Sequence, residues 1–382
     1  MWLTEEQSAI LALIDQIAAR YPRRYWLQKA RAGEFPEELW QALAQAGILG
    51  LAIPEQYGGS GLGLQEMALV QERLAEHGIP LLLLVVGPGL SLMILAKHAS
   101  ESMKAQVLPA ASRGERVFCF GITEAAAGSN TWRIATTAER QGREWVITGT
   151  KHFISGADRA DDLLVVARTR PYAADSREGL SLFVVNLKSP GVRLTWEPMH
   201  LTAAEHQFQV TLDHVRVPDE ALVGEEGAGA RYLFDGLNPE RINVAALAVG
   251  LGRHLLNRAV SYAKERVVFD APIGARQGIQ HPLAEAKIHV ELAAAMNRYA
   301  AMAYDQQEDA GAWANMAKVG AVDAALEAAD IAIQVHGGNA FSEAYDLLSL
   351  WELVRLFKTA PVARELALNY VGEHVLGLPK AL

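Results

Sequence analysis

The chain has 382 residues, 51% hydrophobic and 21% charged, an ordinary globular composition with room for two or three domains. Its formal net charge of -9 argues against nucleic acid or an anionic membrane as the main partner. The lone cysteine, Cys119, excludes an internal disulfide and a cysteine metal cluster, and no metal site is expected.

Residues 1–24 carry acids early and no basic start before an apolar core, so they do not read as a secretory signal. The most apolar window, Ile79 to Leu95, is broken by Pro80, Gly87, Pro88 and Gly89 and is too short to span a bilayer. A soluble cytoplasmic protein is expected. Residues 1–117 read as a helical domain. Thr4 is placed as an N-cap with Gln7 three residues on, a capping-box pattern. A second helix opens at Phe35-Pro36-Glu37, with Pro36 fit for the first turn, and runs to Ala46 before Gly47 stops it. Gly50 to Gly61 is a glycine-rich loop.

At Phe118 the texture changes, and residues 118–226 read as an all-β domain. Phe118 to Ile122 is a short apolar run expected as a buried strand, ended by Thr123 and Glu124. Ala125 to Ala127 are small, and Gly128-Ser129-Asn130 turn the chain. Small residues let a large ligand lie close to the backbone, where N–H and hydroxyl groups hold phosphate oxygens. The same residues equally suit a strand ending in a tight turn. Further strands are expected at Trp132 to Thr137, Glu144 to Ile147, Leu163 to Ala167, Leu180 to Val185, Phe208 to Leu212 and Val215 to Val217. Gln141-Gly142, Asp175 to Gly179 and Ser189-Pro190-Gly191 separate them.

Residues 227–382 return to a helical period. Val244 to Arg266, Leu283 to Ala303 and Ala312 to Val335 are long and alanine-rich, as in a helical bundle. The expected fold class is α+β multidomain: an N-terminal helical domain, a middle β-barrel or sandwich, and a C-terminal four-helix bundle.

That order, with its motifs, resembles the acyl-CoA dehydrogenase flavoproteins over essentially the whole chain. The resemblance rests on Phe35 to Gly61, on Gly121 to Asn130 with Thr148 to Ser155, and on Arg266 to Phe269, Gln277 and Gln334 to Asn339. It implies FAD as cofactor and places Phe120, Ile122 and Thr123 beside the flavin, with Ser129 toward the pyrophosphate and the CoA. Phe153 stands where most members have tryptophan, with Ile154 and Ser155 at the ring's polar edge. Arg266, Phe269, Gln277, Gln334, Gly337 and Gly338 would meet the diphosphate and adenosine of FAD in a neighbouring subunit. A planar, permanently charged guanidinium suits a diphosphate. His336 reads as structural. A homodimer or homotetramer follows, with an electron-transfer flavoprotein as acceptor.

The implied reaction is α,β-dehydrogenation of an acyl-CoA thioester, in which a desolvated carboxylate removes the α-proton. Most members carry that base late, in a Tyr-Glu-Gly-Thr segment. Counted on from Gly338, the segment falls on Ala360-Pro361-Val362-Ala363, so proline replaces both the base and its backbone N–H. Ala363 and Glu365 replace a threonine and a glutamine that touch FAD in the family. A minority of members place the base just before an arginine, which here is Glu240 before Arg241. Asn238, where aspartate is usual, would meet the pantetheine chain.

Locally, Asn238-Pro239-Glu240 reads in two ways. As a helix start, it puts Glu240 in a first turn whose dipole lowers its pKa. As part of a helix running through from Gly229, it puts a proline kink beside Glu240. The rival functions are a flavin oxidase or monooxygenase on the same scaffold, or a catalytically inert FAD-binding partner subunit. Leu81 to Ala96 would line the acyl cavity, with side chains compatible with short and longer chains alike.

Overall fold

The computed structural model describes residues 3–172 and 179–381; of the expected separator Asp175 to Gly179, residues 175–178 lie outside the described residues. The N-terminal part is helical: α1 (Glu5–Arg20), α2 (Arg23–Ala32), α3 (Glu37–Gln45), α4 (Leu64–Glu76), α5 (Leu82–Val86), α6 (Leu92–His98) and α7 (Glu101–Ser112). Thr4 Oγ1 accepts the Gln7 N–H at 3.0 Å and Gln7 Oε1 accepts the Thr4 N–H at 3.2 Å, closing the capping box. Pro36 caps α3 from outside instead of entering its first turn. Beyond the helix, Gly47 takes φ +76°, which ends it.

The middle part is one eight-stranded sheet in the order β6-β7-β3-β2-β4-β5-β8, with β1 paired to β4. Its strands are β1 (Phe118–Gly121), β2 (Thr137–Gln141), β3 (Glu144–Ser155), β4 (Asp162–Arg168), β5 (Leu180–Asn186), β6 (Val192–Glu197), β7 (Gln207–Pro218) and β8 (Leu222–Val223). Two sequence expectations need correction. Trp132 to Thr136 is not a strand: a 3-10 turn covers Thr131–Arg133, and β2 begins only at Thr137. The reason is that side chains take this segment's backbone groups. Arg168 donates to the Trp132 and Ile134 carbonyls, and Glu124 accepts the Ala135 and Thr136 N–H groups. The second correction adds β6. It is an edge strand in which Val192, Leu194 and Trp196 alternate with Arg193, Thr195 and Glu197, so it carries no continuous apolar run to read.

The C-terminal part is α8 (Gly229–Glu265), the short ribbon β9 (Val267–Val268) and β10 (Ala271–Pro272), then α9 (Gln277–Asp305), α10 (Gly311–His336), α11 (Leu348–Phe357) and α12 (Arg364–Tyr370). Helices α8, α9 and α10 pack on one another, and α4 lies against α8. Among the described residues no helix is long and apolar enough to cross a membrane. Helix α8 runs through Pro239, which settles the two local readings: Glu240 lies in mid-helix. Proline has no N–H for the carbonyl four residues back, that of Asp235. The Tyr304 hydroxyl on α9 donates to that carbonyl at 2.7 Å.

Small residues let α8 approach its neighbours closely. A Cβ on Gly250 would sit 2.2 Å from the Glu72 carbonyl oxygen and 2.6 Å from Ala75 Cβ, both on α4. Alanine normally stabilises a helix interior over glycine by about 1 kcal/mol, but here it meets backbone that cannot yield. Gly250→Ala is expected to cost about 2 kcal/mol through overpacking, read from the urea midpoint. A stabilised variant would show that the two helices separate freely.

Candidate functional site

Two neighbouring segments of the middle part bring the first set of expected residues together. Strand β1 ends at Gly121, and the chain continues through Ile122 and Thr123, both partly buried. Thr123 accepts the His152 N–H at 2.9 Å, so this segment lies directly against β3. The β3–β7 ladder is interrupted between Lys151 and Ile154. Phe153 sits in that bulge at φ +57°, a conformation rare for a bulky residue, and its ring is 55% exposed. Its N–H donates to Glu197 Oε2 at 2.8 Å, and the other carboxylate oxygen pairs with His152 Nδ1 at 2.7 Å. Ser155 Oγ and the Gln207 side-chain amide exchange hydrogen bonds at 3.0–3.1 Å. Phe120 is buried and Ser129 exposed. The Ile154 side chain is in the core, 1% exposed, so only its backbone is available to a ring.

The second set lies at the far ends of α8 and α10. Tyr262 stacks on His336 with ring centroids 4.3 Å apart, and Asn339 donates to the Tyr262 hydroxyl at 3.0 Å. These contacts bring the α8 terminus, where Arg266 is the C-cap, to the α10 terminus with Gln334, Gly337 and Gly338. His336 is buried, its Nδ1 bonded to the Ala332 carbonyl, and burial lowers its pKa. It is a packing residue. Arg266, Gln277, Gln334, Gly337 and Gly338 are all exposed, and Phe269 is 88% exposed.

The third set surrounds Glu240. This carboxyl is 8% exposed, and burial pushes its pKa up to about 7 against the opposing charges of Arg241 and Lys318. Arg241 donates Nη1 to Asn238 Oδ1 at 3.0 Å, one helical turn back, and its Nε has no protein partner. Lys318 on α10 is 1% exposed and pushed down to about 8 by burial. It donates to the Val362 carbonyl at 2.6 Å, so it pins the loop that carries Pro361. Sequence reasoning gave Lys318 no role. Its only signal is a lone cation within an alanine-rich helix.

The residues present fit a flavin cofactor. Phe153 presents an aromatic face held outward by its backbone, with Ser155 two residues on and Thr123 held against the same strand through the His152 N–H. At Gly337 and Gly338 an added Cβ would meet no atom within 4 Å, which leaves open backbone for a diphosphate. Arg266 adds a fixed charge beside them.

Three family models match in tandem. The acyl-CoA dehydrogenase N-terminal domain covers residues 4–115, the middle domain 119–213 and the C-terminal domain 227–376. The chain is 45% identical over 380 residues to the acyl-CoA dehydrogenase fadE12 of Mycobacterium bovis, covering 99% of this chain and 98% of that one. Butyryl-CoA dehydrogenase from Megasphaera elsdenii superposes with TM-score 0.94 at 27% identity, covering 98% of this chain and 99% of the other. A glutaryl-coenzyme A dehydrogenase bound to glutaryl-CoA gives TM-score 0.93 at 30% identity, covering 100% and 98%. Matches that run the full length, in the same helix–sheet–helix order as the elements above, leave one assignment: the chain belongs to the acyl-CoA dehydrogenase family, whose members are FAD-dependent oxidoreductases.

Proposed function

We propose that this enzyme dehydrogenates an acyl-CoA thioester between its α and β carbons, with Glu240 as the base that removes the α-proton. The observation that carries this reading is the burial of Glu240 in mid-helix, which places its pKa at about 7, near working pH. FAD, when bound, supplies the acceptor for the β-hydride. Glu240 receives the α-proton on a carboxylate oxygen. Arg241, tethered to Asn238, orients the α8 turn that carries the base. Asn238 offers a neutral amide to the pantetheine chain, and Ser129 reaches toward the CoA. Pro361 supplies neither a carboxylate nor an N–H to the thioester.

Phe120, Ile122, Thr123, Ser129, Phe153, the Ile154 backbone and Ser155 border the cofactor within one subunit. Arg266, Phe269, Gln277, Gln334, Gly337 and Gly338 meet the FAD of a neighbour, in a homodimer or homotetramer. The exposure of Phe269 supports this, because a phenyl ring left in water gains by being covered. The working units are residues 1–117, 118–226 and 227–382, the electron acceptor is an electron-transfer flavoprotein, and the compartment is the cytoplasm.

The test is anaerobic stopped-flow bleaching of the bound flavin by a panel of acyl-CoAs from pH 5.5 to 8.5. A base must be ionised to act, and the Glu240 pKa is raised, so activity falls as pH drops through about 7. The expected bleaching rate rises by about tenfold per pH unit below 7 and levels off above it. A profile flat through 7 removes Glu240 from the role. A flavin left oxidised by every thioester removes the dehydrogenase reading for this chain.

A further inference from the structure

Beneath the Phe153 bulge lies a buried ion pair that the reaction does not use. Lys151 is 0% exposed, and its Nζ lies 2.8 Å from Oε1 of Glu124, which is 7% exposed. The same ammonium donates to the Ile122 carbonyl at 3.2 Å. The Glu124 carboxylate also accepts the Ala135 N–H at 2.7 Å and the Thr136 N–H at 3.0 Å. Its backbone bonds reciprocally with Ala127, turning the chain toward Ser129. Burial raises the Glu124 carboxyl, but the Lys151 charge and these donors outweigh it and hold the pKa below the usual carboxylate value. Two side chains thus tie together the 122–124 segment, the 135–136 segment and β3. The residues assigned to the flavin lie on either side: Ile122 and Thr123 immediately before Glu124, and Phe153 to Ser155 shortly after Lys151.

We propose that the Glu124–Lys151 pair is a positioning clamp for the cofactor, fixing the 122–129 loop against the 153–155 bulge. A buried ion pair adds little net stability over well-packed apolar residues, because both charges lose their hydration. What an apolar pair cannot supply is direction: an ammonium aimed at the Ile122 carbonyl, and a carboxylate aimed at two N–H groups. The clamp therefore acts on the geometry of the flavin-facing segments more than on the stability of the sheet. This inference rests on the FAD assignment above.

The experiment compares Lys151→Met, Glu124→Gln and the apolar pair Lys151→Met with Glu124→Leu in the full-length chain. FAD affinity is read from quenching of flavin fluorescence on titration into apoprotein, flavin environment from the visible spectrum, and folding from the apoprotein melt. We expect FAD affinity to fall at least tenfold in all three variants, with a shifted flavin spectrum, and the apolar pair to melt within a few degrees of the parent. An apolar pair that folds and binds FAD with parental affinity and spectrum overturns the clamp. If that pair does not fold, Glu124→Gln decides alone: it keeps the side-chain shape but only one accepting oxygen and no charge, so one of the Ala135 and Thr136 N–H groups and the Lys151 ammonium lose their partner, and parental binding there overturns the proposal. Phe153→Ala and Arg266→Ala run beside them. If those two leave FAD affinity unchanged, the FAD assignment fails; if they weaken it while the clamp variants do not, only the clamp fails.

Discussion

Glu240→Gln is expected to slow flavin bleaching by acyl-CoA about 10²–10⁴-fold, the range that general base catalysis contributes, while the protein keeps FAD and grows more stable. The stability gain follows from linkage. The Glu240 carboxyl is raised from an ordinary 4.5 to about 7 by burial. A raised carboxyl leaves the folded state fully stable below pH 4.5 and withdraws stability as pH climbs through 7. At pH 8 the withdrawn amount is on the order of 3 kcal/mol, because the buried carboxyl ionises only near 7 instead of near 4.5. Glutamine keeps the shape without the charge, so this loss disappears. The check is a denaturant midpoint at pH 5 and pH 8 beside the anaerobic bleaching rate. Parent and variant should differ most at pH 8. A variant that bleaches like the parent sends the search to another carboxylate, and one no more stable at pH 8 shows that Glu240 is solvated in the folded protein.

Arg253→Met should produce the largest loss of stability, about 3–5 kcal/mol. Arg253 on α8 donates to Glu72 of α4 at 2.5 Å and holds Glu291 of α9 through Nε at 2.8 Å and Nη2 at 2.7 Å. One guanidinium therefore joins the N-terminal helices to the bundle. Glu72 is 5% exposed, and without Arg253 its remaining cation is Arg298 at 3.4 Å. A charge left unpaired in the core is the expensive outcome. Glu291 is held down at about 2 by Arg253 and Lys287 but is only half-buried, so water compensates for it. Adding Glu72→Leu to Arg253→Met should recover most of the loss, because the pair is then replaced by apolar volume. The urea midpoints of the single and double variants decide this. A double variant as unstable as the single would mean that the loss comes from packing around the arginine stem and not from the stranded carboxylate.

Much of the architecture was legible in the sequence because local physics dictated it. Thr4 and Gln7 can satisfy each other wherever the helix packs. Gly47 ends α3 because a left-handed residue is needed there. The apolar runs at Leu163 to Ala167 and Leu180 to Val185 became β4 and β5, since strands buried on both faces must be continuous in apolar residues. The order of helices, sheet and bundle followed from such signals, and the family motifs from their spacing.

Tertiary structure decided what depended on partners distant in sequence. Trp132 to Thr136 has strand-like composition, yet Arg168 and Glu124 claim its backbone groups. In the sequence Glu124 only ends an apolar run and Lys151 has no role of its own; the sheet closes over both and pairs them. Above all, Asn238-Pro239-Glu240 would serve as a helix start. It lies in mid-helix because Tyr304, far along the chain, satisfies the carbonyl that Pro239 leaves free. Burial in that position raises Glu240, where a helix N-terminus would have lowered it. Sequence alone determined which residue types were available to do the chemistry; only packing determined how much water each one keeps, and so which carboxylate is poised near neutral pH.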